Sequence, residues 1–121
     1  MLFQWDMGRQ KPSQIEKNFW RSARAADSTR KFANQLFEGA VADAEATDKQ
    51  IERQAKNWRL DRMATIDRNI LRLAVHEMQA SGTPPKVALN EALELAKKFS
   101  SAEAAAFLNG ILDAILKARE A

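Results

Sequence analysis

From Ile15 to Leu116 the apolar residues of this chain recur three and four positions apart, with little to interrupt them. That period follows the turn of an α-helix, whereas a half-buried strand alternates its side chains every second residue. Four glycines and three prolines in 121 residues leave few turns, and a sandwich or barrel needs one roughly every 8–12 residues. The spacing therefore predicts an all-α chain, a compact bundle of six to seven helices. The length suits a single domain. No stretch approaches the roughly 18 uninterrupted apolar residues of a membrane span. The opening Met1-Leu2-Phe3-Gln4-Trp5-Asp6 lacks the basic-then-apolar layout of a secretory signal. A soluble, cytoplasmic protein is expected.

Capping residues mark where the helices begin. Ser13 and Glu16 have the spacing of a capping box ahead of Ile15 and Phe19, each side chain satisfying a free backbone N–H at the other's position. A second helix starts near Asp27 or Ser28 and carries Phe32, Leu36, Ala40 and Ala44, and Thr47 or Asp48 is placed to cap another with Ile51, Ala55 and Trp58. Leu60 and Met63 fall in a short connection before Thr65 caps a helix bearing Ile66, Ile70, Leu73 and Met78, which Gly82 ends. Thr83-Pro84-Pro85 reads as a capping hydroxyl followed by proline at the first helical position. The helix after it is apolar around more than half its circumference and is expected to be largely buried. Ser100 and Glu103 form a second capping box before a last helix lined by Phe107, Leu108, Ile111, Leu112, Ile115 and Leu116.

Catalytic chemistry is hard to assemble from these residues. There is no cysteine, so no disulfide, thiol nucleophile or thiolate metal site. The one histidine, His76, leaves most His-based metal sites and a Ser-His-Asp triad without their parts. Its neighbours suggest a half-buried or surface residue. The four glycines are isolated, so no loop can cradle phosphate. Asp61/Asp67 and Glu91/Glu94 are carboxylate pairs without a Glu-x-x-His partner. No enzyme, cofactor or metal is expected. Trp5, Trp20 and Trp58 read as core or boundary anchors. Asn90 and Asn109 read as buried amides, and Gly110 as a site of close helix approach, since glycine costs about 1 kcal/mol inside a helix.

Charge is uneven along the chain. The net charge is +3, and residues 1–60 hold 11 Lys/Arg against 8 Asp/Glu while the rest hold 8 against 8. The excess gathers at Arg9/Lys11, Arg21/Arg24 and Arg30/Lys31. Those clusters read either as solvated helix faces or as a basic patch for nucleic acid.

Three ordered segments carry a family resemblance: Asp67-Arg68-Asn69-Ile70-Leu71-Arg72-Leu73-Ala74-Val75-His76-Glu77-Met78, the run from Thr83-Pro84-Pro85-Lys86 through Asn90-Glu91 to Phe99, and Phe107-Leu108-Asn109-Gly110-Ile111-Leu112-Asp113. Together they closely resemble the NusB family of transcription antitermination factors. The match is dense over about 60–116, while about 10–58 matches mainly in helix pattern. Leu2-Phe3-Gln4-Trp5-Asp6-Met7 looks like the latter half of the family's first helix, as though the chain were shortened at its N-terminus and lacked the Arg-rich stretch that contributes RNA contacts.

The resemblance implies two small helical subdomains, about 1–58 and about 59–121. It implies binding to the boxA element of ribosomal RNA leader transcripts together with NusE, a small-subunit ribosomal protein, within an RNA polymerase antitermination complex. A helical scaffold that binds NusE but has lost RNA binding is the alternative. Monomer and homodimer both remain open. By position in the matching motifs, Phe3 and Asp113 fall where the family's RNA-related face lies. Phe3 either stacks on an unpaired base or packs in the core, and Lys86 either meets phosphate or stays solvated. Asp113 either accepts from a base amino group or limits non-specific RNA adhesion by repulsion. Glu77 either pairs with a cation of NusE or with Arg72 or Lys86 within the chain.

Overall fold

The computed structural model describes residues 1–8, 10–55, 63–80 and 83–120. Among them run six helices and no strand: α1 (Leu2–Gly8), α2 (Pro12–Ser22), α3 (Asp27–Gln54), α4 (Thr65–Ala80), α5 (Pro85–Phe99) and α6 (Ala102–Glu120). The all-α expectation holds. Arg9, Trp58, Leu60, Asp61 and Gly82, together with the expected subdomain boundary at 58/59, lie outside the described residues.

The main core sits between the end of α3 and helices α4, α5 and α6. Ile51, Leu71, Val75, Leu108 and Leu112 are fully inaccessible there, and burying such a side chain contributes about 1.5–3 kcal/mol. Ile15 of α2 and Phe37, Ala40 and Ala44 of the first two thirds of α3 are buried outside this cluster.

Several local expectations are corrected. Helix α2 starts one residue before Ser13, with Pro12 in its first turn and the Lys11 carbonyl accepting from the N–H groups of Gln14 and Ile15, so no Ser13/Glu16 capping box forms. No new helix begins at Thr47 or Asp48. Helix α3 runs unbroken for 28 residues, because Thr47 is buried and both oxygens of Asp48 are held by Arg72 at 2.8 and 2.9 Å. Pro84 rather than Thr83 occupies the cap position of α5. Ser101 rather than Ser100 caps α6, its Oγ accepting from the Ala104 N–H at 2.9 Å.

Helix α5 is not largely buried. Only Ala88, Ala92 and Ala96 are buried, a stripe at spacing four that brings its backbone close to the core, and Leu89 and Leu93 pack at the margin. Val87, Leu95 and Phe99 stay exposed, as does Asn90. Asn109 and Gly110 are exposed as well, and a Cβ on Gly110 would meet nothing within 4 Å. The close approach occurs at Gly39 instead, where a Cβ would lie 2.5 Å from the ring of His76.

Candidate nucleic-acid and protein interfaces

Helix α1 is too short to stand alone, and a polar clasp holds it to α4. Asp6 pairs with Arg68, lies 3.2 Å from the guanidinium of Arg72 and accepts from the amide of Asn69 at 3.3 Å. Arg72 also pairs with Asp48 of α3 and donates to the side-chain Oδ1 of Asn69 at 3.1 Å, and its guanidinium lies 5.6 Å over the Trp5 ring. Burial pushes the Asp6 carboxyl up, but Arg68 and Arg72 outweigh it and hold the group below its ordinary value. Burial likewise opposes the charge on Arg72, and Asp48 and Asp6 more than restore it. One arginine thus ties three helices together. Sequence reasoning missed this node. Its signal was Asn69 and Arg72, polar residues three apart at the start of the apolar-rich stretch from Ile70 to Met78.

The clasp sets the position of Phe3. Half exposed at 52%, Phe3 joins Leu2 on one wall of an apolar groove of about 350 Å³ whose other walls are Leu36 and Phe37 of α3 and Ile66 and Ile70 of α4. It is not a core residue. About half of its surface remains accessible to a partner.

Lys86 and Asp113 do not line that groove. Lys86 is exposed in the first turn of α5, with no carboxylate within salt-bridge distance among the described residues. Asp113 lies half-exposed on α6 and pairs with Lys117 one turn later at 3.0 Å, an exposed pair of the kind that contributes little to stability.

Glu77 does not pair with Arg72, which Asp6 and Asp48 already hold. It faces another carboxylate. Burial pushes the Glu77 carboxyl up, Glu91 of α5 pushes it further, and His76 partly offsets them. Beside Glu91 on α5, Val87 and Leu95 lie one turn away in either direction and Phe99 two turns along, all exposed. An acidic pair, Glu77 half-buried and Glu91 exposed, flanked by apolar side chains suits a basic protein surface with an apolar anchor. His76 is buried, not superficial, and its Nδ1 lies 2.9 Å from Asp43 Oδ2. It is a structural link between α3 and α4. Among the described residues no group of three or more potential ligands could hold a metal ion, and no helix is long and apolar enough to cross a membrane.

Comparison with known proteins bears on these surfaces. A profile of the NusB family matches residues 1–117. The transcription antitermination protein NusB of Koribacter versatilis is 46% identical, over the whole of this chain and 84% of its own length. Among solved structures, NusB in the crystal structure of the antitermination factors NusB and NusE in complex with double-stranded RNA superposes with a TM-score of 0.82 at 31% identity, covering 97% of this chain and 88% of that one. NusB of T. maritima gives a TM-score of 0.84 at 30% identity, covering 96% and 82%.

Proposed function

This chain belongs to the NusB family, whose named members are transcription antitermination proteins rather than enzymes, and from that premise we propose that it binds the boxA element of ribosomal RNA leader transcripts jointly with NusE. In this reading it works in the cytoplasm as part of an antitermination complex on RNA polymerase. The observation that carries it is the likeness, over nearly the full chain, to a NusB whose solved complex contains NusE and RNA. The half-exposed Phe3 ring supports base stacking, a contact worth about 1–3 kcal/mol. Lys86, exposed and without a carboxylate nearby among the described residues, supports a phosphate contact. The division into subdomains of about 1–58 and 59–121 belongs to the same reading, and a homodimer is the resting form it allows.

Asp113 acts here by repulsion. Its carboxylate opposes RNA and occupies Lys117, so Asp113→Asn removes a negative charge and releases a positive one while keeping an acceptor. The expected outcome is tighter boxA binding, by less than about tenfold, read by fluorescence anisotropy. Weaker binding would instead assign Asp113 to direct base recognition. Glu77 meets NusE: Glu77→Ala is expected to weaken NusE binding by about fivefold to tenfold, in line with the loss of a partly desolvated charge pair, and to leave RNA affinity without NusE unchanged.

The decisive experiment measures boxA RNA against a scrambled RNA of equal length, with and without NusE. A preference for boxA that NusE strengthens is expected. Binding of NusE with no preference between the RNAs would leave a helical protein-interaction scaffold in place of an RNA-binding factor.

A further inference from the structure

The basic clusters of the first half remain unused by the surfaces above. Lys17 and Arg21 lie one turn apart on α2, and Arg30 approaches them from the end of the first turn of α3, so that all three line one shallow depression of about 340 Å³ with Trp20 and Asn34. Arg24 in the connection between the helices and Lys31 on α3 are exposed beside them in sequence. Among the described residues none of these five cations has a carboxylate within 4 Å, in contrast to Arg68, Arg72 and Lys117. Arg30 nonetheless has a ring partner. Its guanidinium sits 5.1 Å over the Trp20 ring, and Trp20 is fixed in turn by its indole N–H, which donates to Asn34 Oδ1 at 2.7 Å. A guanidinium held this way loses less freedom when it binds and keeps its donors pointing outward. The carboxylate in the same depression, Glu16, is pushed up to about 7 by burial and then by Glu38, so at neutral pH it offsets the cations only in part.

We propose that this α2–α3 edge is a second RNA-contact surface, one that grips the phosphodiester backbone of single-stranded RNA running beyond the boxA element. The proposal rests on the RNA-binding reading given above and extends it to flanking sequence. Unpaired cations with a planar guanidinium among them suit phosphate oxygens. Among the described residues that line the depression, Trp20 is the only large apolar one, so the site is poor in the buried anchors that dominate protein interfaces. Contacts of this kind are blind to sequence, so the surface adds affinity and leaves boxA preference unchanged.

The test compares a short boxA RNA with the same RNA carrying an oligouridine tail at one end or the other, by anisotropy across a salt series with NusE present. For the wild type, one of the tailed RNAs is expected to bind more tightly. Its log–log salt slope should be steeper by about two, at about 0.7 per phosphate contact for Lys17, Arg21 and Arg30, so the tail's advantage shrinks about sixteen-fold between roughly 50 and 200 mM salt. The K17Q/R21Q/R30Q variant is expected to bind both RNAs alike, with wild-type affinity for the short one. K17Q/R21Q, which leaves Arg30 on Trp20, loses about two thirds of the extra slope and guards against a folding defect in the triple variant. A tail that adds nothing to the wild type, or a gain that survives in K17Q/R21Q/R30Q, overturns the proposal. Displacement of the tailed RNA by polyglutamate as readily as by polyuridine overturns it in favour of an acidic protein partner. Loss of preference for boxA over scrambled RNA with the tail's gain intact refutes the earlier reading and supports this one.

Discussion

The two ends of helix α3 are embedded in different kinds of structure. Its last turns enter a core of large aliphatic side chains shared with α4, α5 and α6, in which Ile51, Leu71, Leu108 and Leu112 have no accessible surface. Its first turns face α1 and α2, where the buried apolar set shrinks to Ile15, Phe37, Ala40 and Ala44 and Phe32, Met7 and Phe3 are left more than half exposed. What the front half lacks in apolar contact it makes up with charge, through Asp6, Arg68 and Arg72. Dispersion and hydrophobic burial need only a stripe of the right period. Ion pairs need particular partners, brought together from distant parts of the chain. The half that carries Phe3 and the basic edge is thus also the half held more by charge than by apolar burial.

Removing the polar node is the harshest way to break this asymmetry. Arg72→Met leaves Asp6 and Asp48 without their shared cation, and stranding buried charge of this kind typically costs about 3–5 kcal/mol. Urea denaturation should show that loss. Proteolysis under native conditions should cut first near α1 if the clasp holds the front half. Acid offers a milder version. Because the folded Asp6 carboxyl lies below its ordinary 3.8, its contribution is complete above that value and is lost as pH falls through the lowered one. A neutral Arg72→Met would mean that apolar packing alone seats α1.

The next contrast lies at the junction of the two halves. Gly39→Ala gains about 1 kcal/mol of helix propensity, but its methyl group must displace the buried His76 ring, and overpacking costs about 1–3 kcal/mol. Net destabilisation of about 1 kcal/mol is expected, with Tm lower by about 4 °C by calorimetry. Gly110→Ala, facing open space, should raise Tm instead. The two substitutions share a chemistry and differ in sign.

Glu16 gives the smallest effect. Its folded carboxyl, pushed up to about 7 from an ordinary 4.5 by burial and by Glu38, holds its proton more tightly than the unfolded chain does. Its contribution is therefore complete below about pH 4.5 and is lost as pH rises through 7. Denaturation midpoints measured across that window should fall less steeply in Glu16→Gln than in the wild type. The acid response of Asp6, with the opposite sign, should be untouched.

Sequence reasoning saw these halves unequally, for the same physical reason. Helices α4, α5 and α6 announce themselves by apolar period and by cap residues close to the observed starts: Thr65, Thr83 and Ser100 each fall one position from the residue that occupies the cap. The false break at Thr47/Asp48 came from reading residue type without partner. Asp48 has the side chain of a cap, but Arg72, 24 positions away, uses it for pairing. Asn109 and Gly110 looked buried because their neighbours are apolar, yet they fall on the outer face of α6. Of the candidate residues, Phe3 and Glu77 gained surroundings that suit their proposed roles, a groove and a second carboxylate. The basic edge was visible only as three separate clusters, and Trp20, the ring partner of Arg30, was read as an anchor alone.

The continuity of α3 has one more consequence. A helix rises about 1.5 Å per residue, so Arg30 on the basic edge and Asp48 at the arginine node, both on this one uninterrupted element, are kept about 27 Å apart by a rigid yardstick. A strand of RNA drawn onto the edge and a partner seated near the node would meet a fixed span with no hinge to absorb slack. The geometry would select ligands by reach before any base or side chain is read.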